Sequence, residues 1–392
     1  MVRGAWLWMV AGLGLLGLTA GGALAEETFK IGLILPMTGP SASTGREIDA
    51  ATKLYLSQQG GTFAGKRVEI VLKDDTGVAD VSKRLAQELV VRDKVDVLAG
   101  FGLTPLAMAV APTATQAKKP MVIMAAATSS TTEASPYIVR TSFTLPQVTL
   151  GIAQWAPENG LKKTVSLVSD YAPGQDAAKW FKTITAQHGG EVVAELTVPL
   201  KSPDFSPALQ RAQDSKADSL FVFVPSGFGA AFMNQFKERG LTEGGIKLIG
   251  TGDLTDDEQL NGMGDAALGV VTSHHYSAAH DSPENKAFVQ AFQAANPGMR
   301  PNFMAVGGWD GMHLIQAALE KTGGKTDGTA LVEATKGMAW TSPRGPVSID
   351  PETRDIVQNV YLRRVERGAD GQLWNVEFAT IPNVKDPGKA QK

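Results

Sequence analysis

The sequence predicts an α/β protein built as two doubly wound, Rossmann-like lobes, each a mostly parallel sheet covered by helices. Three observations carry this. Short apolar runs alternate with longer amphipathic segments, the mark of βαβ units. The alternation pauses around 137–146 and then begins again. A chain of 392 residues is also longer than one core usually organises.

The first lobe opens with the strand FKIGLILP, a glycine-rich loop and a helix over 46–59. The strand VEIVLKD, a helix over 78–92, VDVLAG, a helix over 105–117 and PMVIMAA continue the plan. After the pause come TVSLVSD, a helix over 175–188, EVVAELTVPL, a helix over 205–215, SLFVFVP, a helix over 229–239 and IKLIGTG. Two more helices are expected over 283–296 and 304–322, and the chain closes with the strand-like segments IVQNVYLRRVE and LWNVEFATI. There is no long Pro/Ser linker, so the connections between lobes should be short.

The N-terminus predicts export. Arg3 precedes an uncharged apolar stretch, and Ala23-Leu24-Ala25 gives the small-residue cleavage pattern before Glu26 and Glu27. Residues 1–25 are therefore expected to be a signal peptide and the mature chain to be free in the periplasm. With no Cys there is no disulfide and no cysteine for a lipid anchor. A net charge of −3 without long Lys/Arg runs argues against a nucleic-acid partner.

Several motifs bear on chemistry. Gly12-Leu13-Gly14-Leu15-Leu16-Gly17 matches a dinucleotide fingerprint but lies in the apolar signal segment with no preceding strand. Gly100-Phe101-Gly102 stands between strand and helix, but Pro105 replaces the third glycine. That loop reads either as a tight turn or as backbone N–H groups offered to a ligand in the crevice at the strand ends. His274, His275 and His280 do not have zinc spacing. His275 remains a candidate cleft donor. Asp253, Asp256, Asp257 and Glu258 lack the pattern of a calcium loop and read as a solvated helix start. No nucleophile elbow, metalloprotease motif or P-loop is present, so neither catalysis, metal nor cofactor is expected.

The segments IGLILPMTGPSASTGREIDAA, VDVLAGFGLTPLAMAVAPTA, PMVIMAAATSS, LVSDYAPGQDAA, FVFVPSGFGAAFMNQFKERGL, LIGTGD, GDAALGVV…HHY and MAVGGWDGMHLIQAALEKTG are individually weak. In this order and spacing they resemble the branched-chain amino-acid type of periplasmic solute-binding protein (type I fold), over nearly the whole mature chain. The resemblance implies a ligand cleft between lobes joined by three crossings, with lobe one at 26–145 plus 275–345 and lobe two at 146–274 plus 346–392. It implies capture of a small solute by lobe closure and delivery to the permease and ATPase subunits of an ABC importer, the protein acting as a monomer.

The resemblance also implies site residues. Leu103-Thr104 and Ala126-Ala127-Thr128 match the blocks that hold a ligand carboxylate, with Thr104 and Thr128 as anchors and backbone donors at Ala126 and Thr128. Tyr171 matches a lid tyrosine, and Trp309, after a flexible Gly307-Gly308, an aromatic of the last long helix. Where amino-acid binders carry an acidic partner for the α-ammonium group, this chain has Gly252, with Asp253 one residue on. Thr44 stands where some relatives have an aromatic. Phe101, Tyr171, Phe228 and Trp309 could enclose a ring. The expected ligand is an aromatic carboxylate of the benzoate or phenylpropanoid type, with a branched-chain or other amino acid, or a sensor role of the same fold, as alternatives.

Overall fold

The computed structural model describes residues 27–389 except 202 and 242–243; the expected signal peptide at 1–25 lies outside them. The first lobe contains β1 (Thr28–Leu35), α1 (Ala42–Gln58), β2 (Thr62–Phe63), β3 (Lys66–Asp74), α2 (Ala79–Val91), β4 (Val97–Gly100), α3 (Thr104–Ala117), β5 (Met121–Ile123) and β6 (Ile138–Arg140). Its sheet runs β2-β3-β1-β4-β5-β6, parallel except for the β2–β3 hairpin. β1 and β4 sit in the centre, so VLAG is buried throughout and carries no alternation.

The chain crosses at 141–144 into α4 (Leu145–Glu158), β7 (Lys163–Ser169), α5 (Ala172–Gln187), β8 (Glu191–Val198), α6 (Ser206–Asp214), β9 (Ser219–Phe223), α7 (Gly229–Glu238), β10 (Lys247–Thr251) and β11 (Val271–His274). It returns to lobe one for α8 (Pro283–Ala295), α9 (Phe303–Lys321) and α10 (Gly328–Thr335). The last strands are β12 (Ala339–Ser342), β13 (Gly345–Ile349), β14 (Ile356–Arg367) and β15 (Leu373–Val384). They join the second sheet, ordered β12-β13-β14-β11-β10-β9-β7-β8 with β15 on β14. The chain thus rejoins the second sheet at Ala339, before the crossing expected after 345.

α4 is absent from the expectation. Its stretch LPQVTLGIAQWAPE is apolar on most faces, because the helix packs on α5, β11 and β14 and leaves little polar stripe to read. Its start is encoded locally: Thr144 and Gln147 form a reciprocal capping box. Gly307 and Gly308, expected to be flexible, instead permit close packing. A Cβ on Gly307 would lie 2.3 Å from the Met124 carbonyl oxygen, and one on Gly308 3.0 Å from that of Ile48.

The crossings are tied by a buried arginine. Arg344, in the β12–β13 turn, donates to the Ser142 carbonyl at 2.9 Å, to Gln358 Oε1 at 2.7 Å and to Asp310 Oδ2 of α9 at 2.6 Å. It also donates to the Thr141 carbonyl. Asp310 further accepts from Trp340 and Ser342. Neither charge of the Arg344–Asp310 pair reaches solvent. Losing one partner would strand the other, at about 3–5 kcal/mol, so the pair keeps the hinge in one register.

The lobes are closed on each other. The Ser129 amide of lobe one donates to Asp176 of α5 at 3.0 Å, and Asn302, which caps α9, donates to Asp256 of lobe two at 2.9 Å.

Candidate ligand-binding cleft

Strand ends and helix starts converge where the lobes meet, as a doubly wound fold requires. The residues there line a narrow cavity between the lobes. Lobe one supplies Thr44, Gly102, Leu103, Thr104, Ala125–Ala127 and Met304; lobe two supplies Tyr171, Pro173, Phe223, Pro225, Ser226 and Asp253. Phe143, on a crossing, and Leu145 complete the lining.

The lobe-one end is a donor cradle. Thr104 opens α3, so its amide is one of the helix-start N–H groups without an intrahelical acceptor. Thr104 Oγ1 accepts from the Thr128 amide at 3.3 Å and lies 3.0 Å from Thr128 Oγ1. When Thr128 donates in that pair, both acceptor positions on Thr104 are used and its own proton is free for an anion. Below the loop, fully buried Arg140 donates to the Ala126 carbonyl at 3.1 Å and the Thr128 carbonyl at 2.7 Å, and pairs with Asp355 at 2.7 Å. This fixes the loop and places a cation beneath it.

Leu103, Thr104, Ala126, Tyr171 and Asp253 are thus brought together, and the other five expected residues stand elsewhere. Thr128 lies behind Thr104 and positions it. The Ala126 amide is not a free donor: it bonds to the Phe101 carbonyl at 3.0 Å. Phe101 has a left-handed backbone (φ 69°), which a bulky residue rarely adopts, and its ring fills the core beside Ile34, Leu98 and Ile138. Phe228 caps α7 and packs on the lobe-two core. Trp309 stacks on His313 and meets Tyr55 edge-on at 5.0 Å, outside the cavity. His275 is fully buried behind Phe143, whose ring stacks on it at 4.8 Å.

The rings that do line the cavity are Phe143, Tyr171 and Phe223, the last two nearly parallel at 6.1 Å. Phe223 and Phe143 escaped the sequence reading. SLFVF is buried on both faces, so nothing marks Phe223 as facing the cleft while Phe221 stacks on Phe181. Phe143 belongs to no strand or helix.

The lobe-two end is acidic and imidazole-rich. Asp253 Oδ2 accepts from Thr251 Oγ1 at 2.9 Å and lies 3.4 Å from His274 Nε2. Burial lowers the His274 pKa to about 4 and pushes that of His275 well below the usual range, so both rings are neutral at neutral pH. Gly252 cannot carry a side chain here: a Cβ would lie 2.0 Å from a guanidinium nitrogen of Arg363 and 2.6 Å from His274.

The acidic run is not solvated. Asp256 and Asp257 are fully buried. Asp256 accepts from Ser226 and from the Asn302 side-chain amide, and the Asn302 backbone N–H donates to Glu47 at 3.2 Å. Glu258 accepts from Ser43 and pairs with Arg46 at 3.7 Å. Carboxylates of both lobes therefore meet beside the cleft. Burial, against the hydrogen bonds from Ser226 and Asn302, raises the Asp256 pKa to about 7; burial and the neighbouring Glu258 and Asp256 raise that of Glu47 well above its ordinary value.

A sequence profile of the family described as periplasmic binding protein matches residues 28–372. An ABC-transporter solute-binding protein of Rhodopseudomonas palustris BisB5, solved with 3,4-dihydroxybenzoic acid, is 62% identical with a TM-score of 0.91, covering 93% of this chain and 100% of that one. A second R. palustris solute-binding protein, solved with 4-hydroxybenzoate, is 44% identical with a TM-score of 0.90 and the same coverage. A Brucella abortus protein named Leu/Ile/Val-binding protein homolog 6 is 48% identical over 95% of this chain and 96% of its own length.

Proposed function

Because the chain belongs to the periplasmic binding protein family and is a solute-binding protein of the ABC-transporter type, we propose that its solute is an aromatic carboxylate of the hydroxybenzoate class. The observation that carries this is the cavity itself, which sets Thr104 donors at one end of a slot walled by Phe143, Tyr171 and Phe223. The carboxylate would take the Thr104 hydroxyl and amide, and the ring would lie against the aromatic walls. The two R. palustris structures with hydroxylated benzoates support the same reading.

Closure follows from a ligand that touches both lobes, since only contacts made in the closed form favour it. The protein acts as a monomer in the periplasm, hands its solute to a membrane permease driven by ATPase subunits, and catalyses nothing itself. Export would use residues 1–25 as a cleaved leader. Intact mass of periplasmic protein is expected to begin at Glu26; a membrane-retained species beginning at Met1 would contradict this.

A branched-chain amino acid is the second reading. Asp253, which lines the cavity, could meet an ammonium group, and the B. abortus relative carries a Leu/Ile/Val-binding name. A thermal-shift panel of benzoates, phenylpropanoid acids and amino acids separates the two. A ligand at 100 times its Kd adds about 2.7 kcal/mol of stability. The rise in Tm is expected with aromatic acids and not with leucine, isoleucine or valine.

A further inference from the structure

We propose that Asp253 is the specificity-determining residue of the cleft, reading a hydroxyl on the ring edge remote from the ligand's carboxylate. The inference rests on the aromatic-carboxylate reading above and extends it to the other end of the molecule.

The carboxylate of Asp253 lines the cavity from lobe two, and the Thr104 cradle lines it from lobe one. Asp253 is only 3% exposed, so what little surface it has faces the slot. Its Oδ2 is fixed by Thr251 and flanked by His274 Nε2. The Thr251 hydrogen bond goes to Oδ2 and leaves Oδ1 as the second acceptor of the carboxylate. Tyr171, Pro173, Phe223 and Pro225, the other lining residues of lobe two with Ser226, contribute no cation to the slot. The Arg363 guanidinium instead bonds to the Tyr276 carbonyl and, at 3.2 Å, to Thr272 Oγ1.

A carboxylate oxygen facing a closed cleft needs a donor, and leaving it unmet is costly. An unsubstituted ring provides none. A ring ether offers only an acceptor and would set oxygen against oxygen. A phenolic O–H donates and completes the site. The hydroxyl therefore does two things: it satisfies Asp253, and it makes the ligand bridge both lobes, which links recognition to closure.

Calorimetry on the mature protein with benzoate, 4-hydroxybenzoate and 4-methoxybenzoate tests this, for wild type and for Asp253→Asn. A hydrogen bond to a charged group corresponds to roughly 10- to 100-fold in affinity. On wild type, 4-hydroxybenzoate should bind 10- to 100-fold tighter than either analogue. In Asp253→Asn, whose amide can donate, the hydroxyl preference should disappear and 4-methoxybenzoate should gain. Should the variant not fold, the wild-type comparison of hydroxyl with methoxyl still decides. Equal wild-type affinities, or a preference that survives Asp253→Asn, would overturn the role of Asp253 while leaving the aromatic-acid reading intact. Failure of all three acids to bind would overturn both.

Discussion

Converting 4-hydroxybenzoate to its carboxamide is expected to weaken binding by at least two orders of magnitude. The acid can take the Thr104 hydroxyl and the helix-start amide, and charge-assisted bonds of this kind contribute about 1.5–3 kcal/mol each. The carboxamide keeps the shape and loses the charge, and its NH₂ meets donors where the acid offered an acceptor. Thr104→Val should reproduce much of the loss for the acid, about 10- to 100-fold, with little further effect on the carboxamide. That non-additivity is the signature of one shared interaction. Equal loss for both ligands would place the carboxylate elsewhere.

Affinity is expected to fall with rising pH and then level off. Asp256 sits where lobe two meets Glu47, Ser43, Arg46 and Asn302 of lobe one, with Ser226 and Glu258 beside it. Opening hydrates it, returning its pKa to about 3.9; closure raises it to about 7. A group whose pKa rises on closure takes up a proton between those two values. The closed form is therefore favoured at low pH, loses up to tenfold per unit as pH rises through the window, and changes no further above about 7. Between pH 5 and 7 the expected fall is about 50-fold. Glu47, also raised on burial, steepens the slope. Titrations in buffers of different ionisation heat should report about one proton taken up per ligand near pH 6. Asp256→Asn, which can accept from Asn302 and donate to Ser226, should flatten the profile. A flat wild-type profile would show that the carboxylates stay solvated on closure.

The two doubly wound sheets were legible because their strands are short apolar runs between amphipathic helices, whereas Thr104, Tyr171 and Asp253 came only from the resemblance to the family's motif blocks. Other features depend on facing, which periodicity does not encode when both faces are buried. Phe223 lines the cleft and Phe221, two residues earlier, stacks in the core. Trp309, Phe228 and Phe101 fill spaces within lobes. The acidic run at 253–258 resembles a solvated turn by composition, and only tertiary folding shows that Asn302 and Glu47 meet it. Arg140 and Arg344 organise the cradle and the hinge from fully buried positions, where an isolated charge would be unfavourable. Nothing local in IVR or SPRG announces that Asp355 and Asp310 are waiting for them.

Closure of this cleft on an aromatic acid is the proposed event. Its most direct test is calorimetric titration of the mature protein, at pH 6 and stripped of bound solute, with 4-hydroxybenzoate and separately with leucine. Saturable one-to-one binding of the aromatic acid, with no heat of binding from leucine at the same concentrations, is the predicted result. Tight binding of leucine with none of the aromatic acid would contradict it and assign Asp253 to an ammonium group.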